Sequence, residues 1–354
     1  MEYWANPNRA AMIGDDAMKN RDLSATMHEP AISRLQSGGL ITNYVCSSAC
    51  AHCSYRSSPK RDKAYITADE AAENFRACRR LGCRSMHIGG GEPLLKPAAL
   101  KEVLRAARQE SMEIEYVETN SSWFRDHDSA VALLRDLQRL GCGTLLISID
   151  PFHNEFIPFA KVKGVLQACR RSGMGIFPWV MEFYDEIDRL GDQTTHSLEE
   201  YEHAYGPGYL ADVEARYRVS MCGRAVDTFG PLHPRQGAEQ ILSQASSSCP
   251  RLLGTGHFHI DLYGNYVPPG CVGLAVHRDD LGEPLTRASY PIFRTLLEGG
   301  VAALHELARE FGYEPDRQFA GECDLCAHLR SFLANCAPDQ FPELAPSEFY
   351  TIDR

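Results

Sequence analysis

Residues 40–53 read LITNYVCSSACAHC. An apolar run of strand type leads straight into three thiols, Cys46, Cys50 and Cys53, spaced CxxxCxxC. Chance supplies that spacing about 0.02 times in a chain with this cysteine content, so the trio asks for a chemical reason. A zinc site wants a fourth thiolate or imidazole, and the adjacent His52 would have to bend back past Cys53 to provide it. A four-iron cluster held by three thiolates leaves one iron without a protein ligand, a place for a small chelating molecule. With 13 cysteines in 354 residues and a start, MEYWANPNRA, that lacks a basic n-region and an apolar h-region, metal binding or catalysis in a reducing, cytoplasmic compartment is expected over a disulfide framework.

Downstream, SMHIGG (85–90), EIEYVETN (113–120), GTLLISID (143–150) and GIFPWVMEF (175–183) alternate with amphipathic stretches that stop at glycine. The strand-type runs recur about every 30 residues, the length of one strand–helix unit, and such units stack their strands in parallel. Thr67 with Glu70 three residues on predicts a capping box for the helix that ends before Gly82. The runs ending at Gly141 and Gly173 close in the same way. Residues 40–235 therefore predict an α/β domain with a parallel sheet, an open sheet or a barrel, preceded by an extension at 1–39.

In parallel α/β folds working groups collect beyond the C-terminal strand ends. There the sequence places Cys46, the GGGEP segment of Gly89, Gly90, Gly91, Glu92 and Pro93, then Thr119 and Asn120, then Ser148 and Asp150. His153 and Glu155 follow in the next loop, and Glu182 and Tyr184 close the run after it. GGGEP lacks the GxGxxG and GK[ST] spacing of nucleotide loops, and its glutamate sets negative charge where phosphate would lie. A formal charge of −11 without a Lys/Arg run argues against nucleic acid. No apolar run reaches the ~18 residues of a membrane span.

CxxxCxxC after a first strand and GGGEP after a second resemble the radical S-adenosylmethionine (SAM) superfamily over residues 40–235. The resemblance implies a partial (β/α)6 barrel and a [4Fe-4S] cluster on Cys46, Cys50 and Cys53, whose open iron takes the amino and carboxylate groups of SAM. It implies that Gly89 to Pro93 hold the methionyl end and that His52 lies near the adenine. Ser148 and Asp150 would meet the ribose or methionyl group, Thr119 and Asn120 would be their third-strand counterpart, and Arg224 in MCGRA (221–225) would pair with the SAM carboxylate. A low-potential donor such as flavodoxin or ferredoxin would reduce the cluster, and SAM cleavage would give a 5′-deoxyadenosyl radical. His153, Glu155, Glu182 and Tyr184 are the substrate-pocket candidates, for a peptide or a small metabolite in natural-product-type biosynthesis.

After residue 235 the strand–helix rhythm stops, and HFHIDLYGNYVP (257–268) predicts a hairpin turning at Gly264-Asn265. With Cys249, Cys271, Cys323 and Cys326 it resembles the twitch type of auxiliary-cluster extension, related to SPASM, so residues 236–354 are expected to form a smaller α+β domain holding one further iron–sulfur cluster, with Cys336 as a substitute ligand. The spacing from Gly264 to Cys271 is longer than the SPASM pattern. A zinc site or buried thiols is the plainer alternative there, and core packing is the expectation for Cys78, Cys83, Cys142, Cys169 and Cys222. Two other functions stay open: transfer of a 3-amino-3-carboxypropyl group from SAM, and a non-enzymatic iron–sulfur or zinc protein.

Overall fold

Thr67 and Glu70 form the expected capping box in the structure, a computed structural model that describes residues 29–351. The Thr67 hydroxyl accepts from the Glu70 amide at 3.2 Å, and the Glu70 carboxylate accepts from the Thr67 amide at 2.9 Å. Helix α1 (Ala68–Arg80) starts there and is followed by Gly82 at φ 101, a conformation that a residue with a Cβ resists. Most of the extension expected at 1–39 lies outside the described residues.

The strands are β1 (Ser37–Ile41), β2 (Ser85–Gly89), β3 (Glu113–Thr119), β4 (Thr144–Ser148), β5 (Gly175–Trp179), β6 (Gly256–Asp261), β7 (Asn265–Val267) and β8 (Val276–His277). They form one open sheet in the order β5-β4-β3-β2-β1-β6-β7-β8. Pairings are parallel from β5 through β1 to β6, and antiparallel for β6-β7-β8. Helices α1, α2 (Pro97–Gln109) and α3 (His127–Arg139) join β1 through β4, with the short α4 (Pro151–Asn154) and α5 (Phe159–Ser172) leading to β5. Met86, Ile88, Val117, Leu145 and Ile147 on one sheet face share a core with Leu104, Leu134 and Val165 of the helices. The other face carries His87, Tyr116, Glu118, Phe177 and His259, and forms the lumen of a partial barrel.

Two features depart from the sequence expectation. Among the described residues no strand lies between β5 and β6: that stretch folds as short helices, including Leu198–Tyr205, opened by a second capping box at Ser197 and Glu200. MCGRA, expected near a sixth strand, runs into the helix Arg224–Phe229. The sixth parallel strand is β6, and it attaches to β1 instead of following β5. The predicted hairpin is present, with Gly264 at φ 80, but it extends the main sheet, so the sheet has no break at residue 235. Asp261 fixes the turn by accepting from the amides of Tyr263 and Asn265, both at 2.9 Å.

Candidate active site: a cysteine loop at the mouth of the sheet

Cys46, Cys50 and Cys53 lie in the loop after β1, where backbone amides reach two sulfurs: Ser48 N–H to Cys46 Sγ and Ser57 N–H to Cys53 Sγ, both 3.4 Å. Burial, then neighbouring Cys50 and Glu92, pushes the Cys46 thiol well above its ordinary range. Burial raises Cys50 as well, opposed by His153, which hydrogen-bonds it. These are thiols that a bound cation would deprotonate.

The GGGEP segment docks on the chain just before the cysteines. Gly91 N–H donates to the Asn43 carbonyl at 2.6 Å and Glu92 N–H to the Val45 carbonyl at 3.2 Å. A Cβ on Gly91 would lie 2.0 Å from the Val45 oxygen, so the glycine is required by the protein's own backbone. Glu92 is fully buried, and its carboxylate accepts from Leu94 N–H, Thr119 Oγ1 and Asn120 N–H at 3.0, 3.0 and 2.7 Å. Burial nevertheless raises its pKa to about 7. Pro93 is buried and opens the turn after it. The Asn120 amide donates to Ser47 Oγ at 3.1 Å, Ser48 Oγ at 3.2 Å and Cys46 Sγ at 3.5 Å. Thr119, Asn120, Glu92 and the cysteine loop are therefore one hydrogen-bonded unit, spanning the ends of three adjacent strands.

At the fourth strand end, Asp150 caps α4 and takes His153 Nδ1 at 2.8 Å. Burial alone would raise the Asp150 carboxyl, but His153 holds it below the usual range. Burial alone would likewise neutralise His153, yet Asp150, then Cys50, hold its pKa well above normal. His52 sits among the rings of Phe152, His153 and Tyr217 at 4.6 to 5.2 Å, and burial lowers its pKa to about 3. Ser148 ends β4 at the same rim.

Arg224 is placed differently from the expectation of a carboxylate partner. Its guanidinium donates to the Cys50 carbonyl at 2.6 Å and the Ser57 carbonyl at 2.9 Å, and its amide to the Cys53 carbonyl at 3.0 Å. Of the four pocket candidates only His153 meets the cysteines. Glu155 accepts from Leu198 N–H at 3.4 Å at the start of the helix Leu198–Tyr205, Glu182 is exposed in the turn after β5, and Tyr184 packs on Phe159 at 4.9 Å. Sequence reasoning missed Tyr217, 3.0 Å from His52 Nε2, because nothing local marks a tyrosine 165 residues away as a neighbour. It also missed the lumen residues Glu118, His87, His257 and His259; the alternation in GHFHID was their one signal.

Cys249, Cys271, Cys323 and Cys326 line a second cavity of about 330 Å³. Cys222 lines it too, whereas Cys336, the expected substitute, lies exposed at the end of the helix Glu322–Cys336 with its Sγ 3.7 Å from the Leu333 carbonyl. The other core-assigned cysteines, Cys78, Cys83, Cys142 and Cys169, are buried. Arg330, 6% exposed, lines the cavity beside Cys326 and Cys271; burial raises both thiols and its charge opposes that. Among the described residues, the trio of His, Cys, Asp or Glu whose ligand atoms lie within 4.8 Å of one another is His52, Asp150 and His153.

Residues 40–201 match the family described as the Radical SAM superfamily. Solved structures resemble the chain at low identity. The [FeFe]-hydrogenase maturase HydG is 14% identical over 40% of this chain and 34% of its own, with a TM-score of 0.32. BtrN in complex with AdoMet and 2-DOIA is 12% identical over 76% and 89%, at 0.38. The structure anSMEcpe with bound AdoMet and Cp18Cys peptide is 15% identical over 88% and 98%, at 0.42. The chain thus spans about a third of HydG and most of the other two. No curated protein sequence matches it.

Proposed function

Residues 40–201 of this chain belong to the radical SAM superfamily, and from that premise we propose that the protein cleaves SAM reductively at Cys46, Cys50 and Cys53 to modify a peptide or small metabolite. The family implies a [4Fe-4S] cluster and SAM. When bound, that pair supplies a 5′-deoxyadenosyl radical able to take hydrogen from an unreactive carbon.

The observation that carries the reading is the unit joining the cysteine loop to Glu92, Thr119 and Asn120. The amides of Ser48 and Ser57 and the side chain of Asn120 donate toward thiolate sulfur. Glu92 offers a buried carboxylate to an ammonium group. Asp150 and His153 form a second polar pair beside Cys50, and the ring cluster around His52 would lend aromatic contact to a purine. The lumen beneath is walled by Tyr116, Phe177 and Trp179, whose rings succeed one another at 5.4 and 5.9 Å, and a substrate bound against them would help shield a reactive intermediate from water.

A second iron–sulfur cluster on Cys249, Cys271, Cys323 and Cys326 is part of the proposal, supported by their convergence on one cavity. Cys222, which also lines that cavity, would be the replacement ligand. A flavodoxin or ferredoxin in the cytoplasm would supply the electron.

The test is anaerobic reconstitution of the native protein and of a Cys46→Ala/Cys50→Ala/Cys53→Ala variant. Native protein is expected to hold about 8 iron and the variant about 4. With SAM and dithionite the native protein should release 5′-deoxyadenosine and the variant none. Methylthioadenosine in its place would mean aminocarboxypropyl transfer, and iron-free protein would remove the reading altogether.

A further inference from the structure

Strand β1 runs between β2 and β6, and its residue Gly39 stands opposite His87 on one side and His259 on the other. Side chains two strands apart start from Cα atoms roughly 10 Å apart and do not ordinarily meet over an intervening side chain. Here the intervening position is empty. A Cβ on Gly39 would lie 2.2 Å from His87 Nε2 and 2.7 Å from His259 Cδ2. The two rings lean over the glycine until their Nε2 atoms are 3.1 Å apart.

The same device recurs one strand over. A Cβ on Gly89 would lie 2.7 Å from Glu118 Oε2, so this glycine lets the Glu118 carboxylate lie across β2. Glu118 Oε1 is 3.6 Å from His87 Nε2, and 39% of its side chain is exposed. His257, in left-handed backbone at φ 59, brings a third imidazole to ring distances of 5.3 Å from His87 and 5.2 Å from His259. Tyr116 stacks on His87 at 5.0 Å and holds that ring in plane.

We propose that His87 and His259 are two ligands of a zinc-class transition-metal site in the barrel lumen, with Glu118 turning in as the third. Two nitrogens bound to one ion at 2.0–2.1 Å stand about 2.9 Å apart at a right angle and about 3.3 Å apart at the tetrahedral angle, and the observed spacing falls between. Imidazole with one carboxylate favours zinc, copper, nickel or iron over magnesium or calcium. The site uses no cysteine and is independent of the cluster chemistry at the mouth.

The experiment gives the iron-reconstituted protein one equivalent of Zn²⁺, followed by desalting, metal analysis and zinc K-edge absorption. One zinc per chain in a nitrogen and oxygen shell is expected. His87→Gln and His259→Gln should each lose it while keeping their iron, which also reports that they fold. Glu118→Gln, which leaves the ring pair in place, should weaken zinc binding by tenfold or more. A sulfur shell, retention of zinc in both histidine variants, or no zinc in the native protein would overturn the proposal and leave the pair as a hydrogen bond between two imidazoles.

Discussion

At position 91 a single methyl group decides whether the cysteine loop can close, because the Val45 carbonyl already occupies the space it would need. Glu343 shows the same dependence on burial through its charge. It is 2% exposed and accepts from Ile292 N–H at 2.6 Å at the start of the helix Pro291–Glu310. Burial raises its pKa to about 7. A carboxyl with a raised folded pKa binds its proton more tightly in the native state than in the unfolded chain. Stability is then full below the unfolded pKa and falls as pH rises towards the folded one. At about 1.4 kcal/mol per pH unit the fall is at most about 3.5 kcal/mol. Glu343→Gln keeps the acceptor oxygen and should flatten that fall, seen as a urea midpoint that changes less between about pH 5 and about pH 7 than in the native protein. Equal changes in both proteins would refute the assignment.

Among the elements, the helix Arg224–Phe229 acts as a clamp on the cysteine loop. Arg224 holds three carbonyls of that loop, and Thr228 Oγ1 donates to a fourth, Ala51, at 3.2 Å. Arg224→Ala should therefore lose iron several-fold faster on gel filtration, with partial rescue in Arg224→Lys, which keeps one donor. If Arg224 instead served the SAM carboxylate, iron would stay and SAM affinity alone would drop. The parallel strands β2 to β5 were legible because each ends in a turn or a polar residue that breaks its apolar run, whereas the run LITNYV at 40–45 meets β1 only at Leu40 and Ile41, the strand lying earlier at Ser37–Ile41. The cysteine trio and GGGEP were legible because their spacing is local. Arg224 was singled out as a SAM-carboxylate partner, but the carbonyls it meets lie 167 and 174 residues away, and sequence shows a guanidinium without showing whether a ligand or a backbone receives it. Gly39 was silent for the same reason, and Gly89 stood out only as part of GGGEP, without its relation to Glu118: a glycine in a strand gains that meaning only when the register says what leans across it.

For the molecule as a whole, the two cysteine sets are joined by the strap Cys222–Arg224. Cys222 lines the second cavity, while Gly223, at φ 60, packs so closely on the first loop that a Cβ would lie 2.2 Å from the Ser54 carbonyl. Removing Cys249, Cys323 and Cys326 together is expected to halve the iron and leave release of 5′-deoxyadenosine measurable, since Cys46, Cys50 and Cys53 keep their own partners. Loss of all iron would mean that the second set is needed for the first to assemble. The pairing of β1 with β6 adds a consequence in time. Ser37 to Ile41 leave the ribosome long before Gly256 to Asp261, so the strand feeding the cysteine loop waits through most of synthesis with one edge unpaired. A nascent chain halted near residue 235 would expose that edge to its neighbours, and the sheet is completed only by closing a long loop, the slow class of folding event.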